Sequence, residues 1–289
     1  MGYDEELKKK IIGEGFPLQR NCTWKLQKMG WQVDEEYPVL WISKPNVEGT
    51  SRTIRTSGDI RAEFQYTAKG FAVRLCISCK RQSEIEWAFM KATFSESHHR
   101  LLRLCGFPTP PPNKRKNGWE YSYDFETSSW SEQYPLCNIP TTLFDRKTNH
   151  KSIDDEKIIQ TADNIYLEVK QTVKDDTIDF AYIDEIPFNQ IIYIPIIVTG
   201  ATLYSYDIDE ENFDVADPSC INLKAVSYLV YQHRLPVDMQ VWVGNPHVEE
   251  QTVFDRFNIF VVNYKEFDRF VKLVQNYFYN KQIQFPNIT

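Results

Sequence analysis

Two short segments carry residue types that can hold a divalent cation against a phosphate. Ser57-Gly58-Asp59-Ile60 offers a carboxylate, and Ile77-Ser78-Cys79-Lys80 offers a lysine. Hydrolysis of a phosphodiester calls for a hard cation in oxygen ligands, which lowers the pKa of a bound water and screens the phosphate. A lysine alongside orients that water or stabilises developing negative charge. Asp59 fits the acid role and Lys80 the lysine role, and the Cys79 backbone carbonyl offers a further oxygen. A second carboxylate two residues before the lysine would complete the set, but Ser78 stands there.

Strands must place these groups side by side. Gly58 to Tyr66 reads as a strand, Thr67 to Gly70 as a turn, and Phe71 to Lys80 as the next strand. Alternation puts Arg74, Cys76, Ser78 and Lys80 on one face of the second strand, so Asp59 and Lys80 can face the same way. Upstream, apolar residues from Ile11 to Met29 recur at helical spacing, with a break expected at Gly15 and a stop at Gly30. Trp31–Val33 and Val39–Ile42 read as short strands. Downstream, Ser83 reads as the N-cap of a helix running to about Leu104, with Trp87, Met90, Phe94 and Leu101 on its apolar stripe. Residues 119–150 are aromatic and irregular. A helix is expected over Ile153–Val173, with Ile158, Ile159, Ala162, Ile165, Tyr166 and Val169 at helical spacing. Strands are expected over Ile191–Val198, Ala201–Tyr206, Val237–Val243 and Phe257–Val262, and a final helix over Tyr264–Tyr279.

The order of these elements, with the residues at their tips, resembles the PD-(D/E)xK, or restriction-endonuclease-like, nuclease superfamily. Gly15-Phe16-Pro17-Leu18, Gly30-Trp31-Gln32-Val33, Ser57-Gly58-Asp59-Ile60 and Ile77-Ser78-Cys79-Lys80-Arg81-Gln82 follow the order in which such nucleases present helix, strand, acid strand and lysine strand. Pro195-Ile196-Ile197-Val198-Thr199-Gly200-Ala201 also looks like a downstream strand of such proteins. The resemblance covers residues 10–105 well and the rest weakly. It implies an α/β fold, a restriction-endonuclease-like mixed sheet flanked by helices, with residues 1–289 as a single domain and an insertion around 106–150. It implies Mg²⁺ or Mn²⁺ as cofactor, DNA as substrate, a role in restriction, phage defence or repair, and a homodimer or a defence-system partner as possible assemblies.

Two positions depart from the family pattern. Gln19 stands where related proteins often carry a helix Glu, and Ser78 where they carry Asp or Glu. Some restriction enzymes with a serine at that place bring the missing Glu from the following helix, and Glu84, Glu86 and Glu96 are the choices here, with Glu84 favoured. The metal set is then Asp59, Cys79 and Glu84, and the catalytic set Asp59, Lys80, Glu84 and Gln82. Glu63 shares a strand face with Asp59 but lies about 13 Å further along by strand rise, too far for one ion. The alternative is a nuclease fold that has lost its chemistry and binds nucleic acid or protein, and Ser78 and Gln19 favour it. A more distant option is an unrelated α/β protein in which the motif is chance.

Charge distribution bears on the partner. Net charge is −7, against a general nucleic-acid-coating protein, but residues 1–120 carry 20 Lys+Arg and 14 Asp+Glu, while residues 121–289 carry 13 and 26. The half with Asp59 and Lys80 is therefore positive, as docking of a phosphate backbone requires, and Lys114, Arg115 and Lys116 are candidate DNA contacts. Cys76 and Cys79 make the chain's CxxC, but no second ligand pair accompanies it, so zinc is not expected. No apolar run approaches the roughly 20 residues of a membrane span, and residues 1–10 are charged, so a cytoplasmic protein is expected.

Overall fold

The structure is a computed structural model. It describes residues 3–13, 16–42, 53–81, 85–92, 103–104, 123–124, 135–145, 152–153, 156–182, 190–209, 214, 217–236, 241–243, 252–254 and 256–280. In chain order the elements are α1 (Tyr3–Gly13), α2 (Phe16–Lys28), β1 (Gln32–Ile42), β2 (Thr53–Tyr66), β3 (Phe71–Lys80), β4 (Ile85–Lys91), β5 (Arg103–Leu104), β6 (Tyr123–Asp124), β7 (Leu136–Asp145), β8 (Ser152–Ile153), α3 (Glu156–Tyr182), β9 (Gln190–Thr199), β10 (Thr202–Ile208), β11 (Ile221–Val226), β12 (Tyr228–Arg234), β13 (Val241–Val243), β14 (Thr252–Phe254), β15 (Arg256–Asn263) and α4 (Phe267–Asn280).

The described strands form an eleven-stranded mixed sheet in the order β1-β2-β3-β9-β15-β12-β7-β4-β10-β11, with β8 beside β7. β1, β2 and β3 are antiparallel neighbours, whereas β3, β9 and β15 run parallel. β9 is buried from Ile191 to Thr199, as expected of a strand covered on both faces. The parallel pair continues past a bend: β3 beside β9 becomes β4 beside β10, and Gly200 N–H donates to the Lys80 carbonyl at the corner (3.1 Å). Lys80, the last residue of β3, therefore sits beside the bend at Gly200 that separates β9 from β10.

Alternation along the strands feeds two cores. On one face Ile60, Ala62, Val73, Leu75 and Ile77 pack under α2 and α4. α2 contributes Leu18, Cys22 and Leu26 at four-residue spacing. α4 contributes Phe267, Phe270, Val271, Val274 and Phe278, with Arg269 and Lys272 outward. Tyr66 stacks on Phe71 (centroids 4.9 Å) and Phe260 tilts on Phe270 (5.0 Å); such ring pairs add about 0.5–1.5 kcal/mol each beyond burial. On the other face α3 lays Ile158, Ala162, Ile165 and Val169 over Ala72, Cys76, Tyr193 and Ile197. Asp163 fastens α3 to β12 through His233 Nε2 (2.7 Å), whose Nδ1 lies 3.1 Å from the Tyr231 hydroxyl.

The fold is thus α/β with a mixed sheet between helices, and β3 spans the residues read from sequence. The helix expected from Ser83 is overturned over its described part, because 85–91 is strand β4, laddered to β7 and β10. Trp87 and Phe89 alternate into the α3 core; the helical spacing of Trp87 and Met90 coincides with a strand buried mainly on one side. Of the stretch expected as an insertion, 136–145 is β7, a strand of the main sheet. The two strands expected over 31–42 are one, and Ile159, one of the apolar residues at helical spacing, is 39% exposed. Among the described residues no helix is long and apolar enough to cross a membrane.

Candidate functional site

Asp59, beside the start of the β2–β3 ladder, and Lys80, the last residue of β3, lie on the face covered by α3. Asp59 stands opposite Ser78 by extension of the β2–β3 ladder, which pairs Ile60 with Ile77. Its Oδ2 accepts the Cys79 backbone N–H (2.6 Å) and the Ser78 hydroxyl (3.3 Å). From α2, Gln19 Nε2 donates to the Asp59 backbone carbonyl at 2.8 Å. Gln19 is thus a clamp on the acid strand, and Ser78, buried beside Asp59, donates a hydrogen bond to the acid rather than supplying a second one. Extended backbone points a residue's N–H and C=O to the same side, so the Cys79 carbonyl is also directed toward β2.

α3 brings a buried carboxylate, Glu168, to the same face of the sheet. Glu168 is 4% exposed, and its Oε1 accepts a hydrogen bond from the Tyr37 hydroxyl. Burial pushes the Glu168 carboxyl well above its ordinary range. The Tyr37 hydrogen bond pulls against that, the Asp59 charge adds to it, and the Lys80 and Arg61 charges oppose it. Glu168 therefore shares one electrostatic neighbourhood with Asp59 and Lys80. Tyr37 is in turn raised well above 10.0, first by burial and then by the Glu168 charge, so its phenol stays a donor.

Tyr37 reaches Glu168 because β1 breaks its alternation. Val33 belongs to the α2 core and Glu35 pairs with Arg20 of α2 (2.7 Å), so strict alternation would send Tyr37 to that same face. Instead Glu36, opposite Asp59, takes φ 55°, a left-handed backbone rare for a side-chain-bearing residue. Tyr37 then faces α3, its ring 4.8 Å from the Arg61 guanidinium. The ring crosses Gly58, where a Cβ would overlap the phenol and lie 2.6 Å from its oxygen. Glycine before Asp59 is the space that Tyr37 needs.

The other sequence candidates separate. Glu86 lies on β4, on the face away from Trp87 and Phe89, and Tyr204 donates to it (3.3 Å). It is not a helix residue and does not join Asp59. Glu63 is paired with Arg74 (Nε to Oε2 3.1 Å) and Gln65 (2.8 Å). The Cys79 thiol faces α2, where contact with Cys22 and then burial push it well above 9.0. Gln82, Glu84, Glu96, Lys114, Arg115 and Lys116 lie outside the described residues. Glu168 and Tyr37 were missed. Glu168 had a signal, since it sits three residues after Ile165 on the apolar stripe of its helix, where a charge is costly unless used. Tyr37 had none, because its orientation rests on the backbone of Glu36.

Among the described residues no three His, Cys, Asp or Glu side chains are grouped to hold a metal. No protein-family model, curated protein or solved structure matches the chain.

Proposed function

We propose that the chain is a metal-dependent nuclease that hydrolyses phosphodiester bonds in DNA, with Asp59, Lys80 and Glu168 as its working groups. The observation that carries this reading is Glu168: α3 brings a buried carboxylate into the neighbourhood of Asp59 and Lys80, on the side where Ser78 leaves the strand motif without its second acid. The donor set suits Mg²⁺ or Mn²⁺. Mg²⁺ is commonly held by one or two carboxylates and keeps several waters, so Asp59, Glu168 and the Cys79 carbonyl form a sufficient oxygen set without a third acid. Each carboxylate has lone pairs beyond those its hydrogen bonds use. When bound, the ion would acidify a water and screen the phosphate.

Within that reading Asp59 is held in place by the Cys79 N–H, Ser78 and Gln19. Lys80 supplies positive charge where the phosphate's negative charge grows. Tyr37 fixes the Glu168 carboxyl and excludes water from its buried side. The excess of Lys and Arg over residues 1–120 favours approach of DNA on this half. A role in restriction or phage defence follows from the superfamily resemblance.

The test is cleavage of plasmid and linear DNA in Mg²⁺ or Mn²⁺ by the full chain, beside Asp59→Asn, Lys80→Ala and Glu168→Gln. Loss of cleavage by roughly a hundredfold or more in each variant is expected. Cleavage retained in all three would sink the assignment. The second reading, a fold without chemistry that binds nucleic acid or a partner, is favoured by one observation: Oδ2 of Asp59 already takes two donors. Absence of both cleavage and Mn²⁺ binding by the wild-type chain would select it.

A further inference from the structure

Among the described residues the sheet protects one of its edges and leaves the other unpaired. On β1 the edge carries Pro38, the left-handed Glu36, and Asp34 and Glu35 paired with Arg61 and Arg20. Proline, distortion and charge are devices that stop a strand from recruiting another. β11 has none of the three along its apolar face: Ile221 is 46% exposed and Leu223 57% exposed. Among the described residues no strand pairs with its outer side.

The ladder sets which backbone groups that side offers. β10 and β11 pair Ile208 with Ile221 and Asp207 with Asn222, and Asp209 N–H donates to the Cys220 carbonyl (2.8 Å). Hydrogen-bonded and non-hydrogen-bonded pairs alternate in an antiparallel ladder. Asn222 and Lys224 therefore turn their backbone groups toward β10, while Leu223 and Ala225 turn theirs to the open side. Ile221 offers its carbonyl there, its N–H being bound to the Pro218 carbonyl.

We propose that this edge joins two copies of the chain, β11 pairing antiparallel with β11 of a second copy about an axis at Leu223. In that register Leu223 exchanges both backbone bonds with its counterpart, and each Ala225 N–H donates to the opposing Ile221 carbonyl. Lys224 stands opposite Asn222. A shift that centres the axis on Lys224 sets like charges face to face. A shift that centres it on Asn222 drops Ala225 from the ladder. The pattern is self-complementary, as an isologous two-fold contact requires. Leu223 and Ala225 lie opposite Tyr206 and Tyr204, so pairing extends one apolar face through the axis.

Sedimentation velocity and cysteine cross-linking of the full chain test this without metal or DNA, so the outcome is independent of the nuclease reading. The wild-type chain is expected to be a dimer, and Leu223→Lys, which places like charges at the axis, should weaken it roughly tenfold or more. Leu223→Cys should form a disulfide-linked dimer on mild oxidation, since opposed Cα atoms of a hydrogen-bonded pair lie about 5.5 Å apart. Asn222→Cys, on the other face and opposite Lys224, should not exceed the wild-type background. If Leu223→Lys fails to fold by circular dichroism, the cysteine pair decides. A wild-type monomer at the highest soluble concentration, or a dimer without the Leu223→Cys cross-link, overturns the proposal.

Discussion

Replacing Glu168 by Gln separates what the site costs the fold from what it does. Glu168 is almost fully buried, burial pushes its carboxyl up, and Tyr37 donates to it. Glutamine keeps the shape and an acceptor for the phenol but carries no charge. The folded pKa lies above the unfolded value of about 4.3, so between the two the folded state binds more protons than the unfolded state. Stability therefore falls as pH rises through that window, at about 1.4 kcal/mol per unit for this one group. The loss begins just above the unfolded pKa and ends at the folded one. The assay is urea unfolding across pH in chelator, so that no cation neutralises the site. Glu168→Gln should lack this component and be more stable than wild type at pH 7 by about 1–3 kcal/mol, while DNA cleavage is lost. A variant less stable than wild type at pH 7, with an unchanged pH slope, would refute the reasoning. Glu168 would then be an ionised structural partner of Lys80 and Arg61.

The arrangement around Tyr37 yields further tests. Gly58→Ala should cost about 2–3 kcal/mol in urea unfolding, because the new methyl meets the phenol. In a Tyr37→Ala background the cost should fall by at least ~1 kcal/mol, and additive costs would remove Tyr37 from that space. Glu36→Gly should stabilise the fold by about 1 kcal/mol, since glycine bears the left-handed backbone without strain; a loss of that size would contradict the switch in β1. Ser78→Asp, which places there the acid that the PD-(D/E)xK pattern carries, should lower both stability and cleavage, because the new carboxylate faces Asp59 directly, and adding Glu168→Gln should recover part of the stability. Cleavage raised by Ser78→Asp alone would show that Glu168 is not the replacing acid.

Much of the frame was legible because it follows from local rules. α1 ends at Gly13 and α2 begins at Phe16, on either side of the glycine where the sequence predicts a break. β3 is preceded by Gly70, with φ 72°, and ends at Lys80, as read from the sequence. The β-branched run of β9 needs burial on two faces, and a mixed sheet supplies it. Segment 85–91 was not legible, because Trp87 and Met90 satisfy a helical period while Trp87 and Phe89 satisfy a strand period. Seven residues do not separate the two, and the ladders to β7 and β10 decide. β11 and β12 were also missed: β11 is short and exposed along most of its length, and β12 owes its burial to neighbours β15 and β7.

On the proposed nuclease reading, the acid at 168 takes the part that a carboxylate at 78 would play. A carboxylate at 78 would lie in the ladder opposite Asp59, and two like charges across an antiparallel pair are destabilising unless a cation is always present. A serine there donates to Asp59 instead and holds the same oxygen that the Cys79 N–H holds. The second charge is moved onto α3, a separate element that Tyr37 and the Asp163–His233 contact fasten from two sides. The cost is transferred to burial, which the raised Glu168 pKa expresses. Proton uptake at Glu168 then relieves the fold in the absence of a cation, and a bound cation relieves it by binding the ionised form. On this account cation binding should be coupled to proton release from Glu168 and grow stronger as pH rises through its titration. Isothermal titration of Mn²⁺ in buffers of different ionisation enthalpy reads that release directly. Binding without proton release below the Glu168 pKa would mean that the carboxyl is not a ligand.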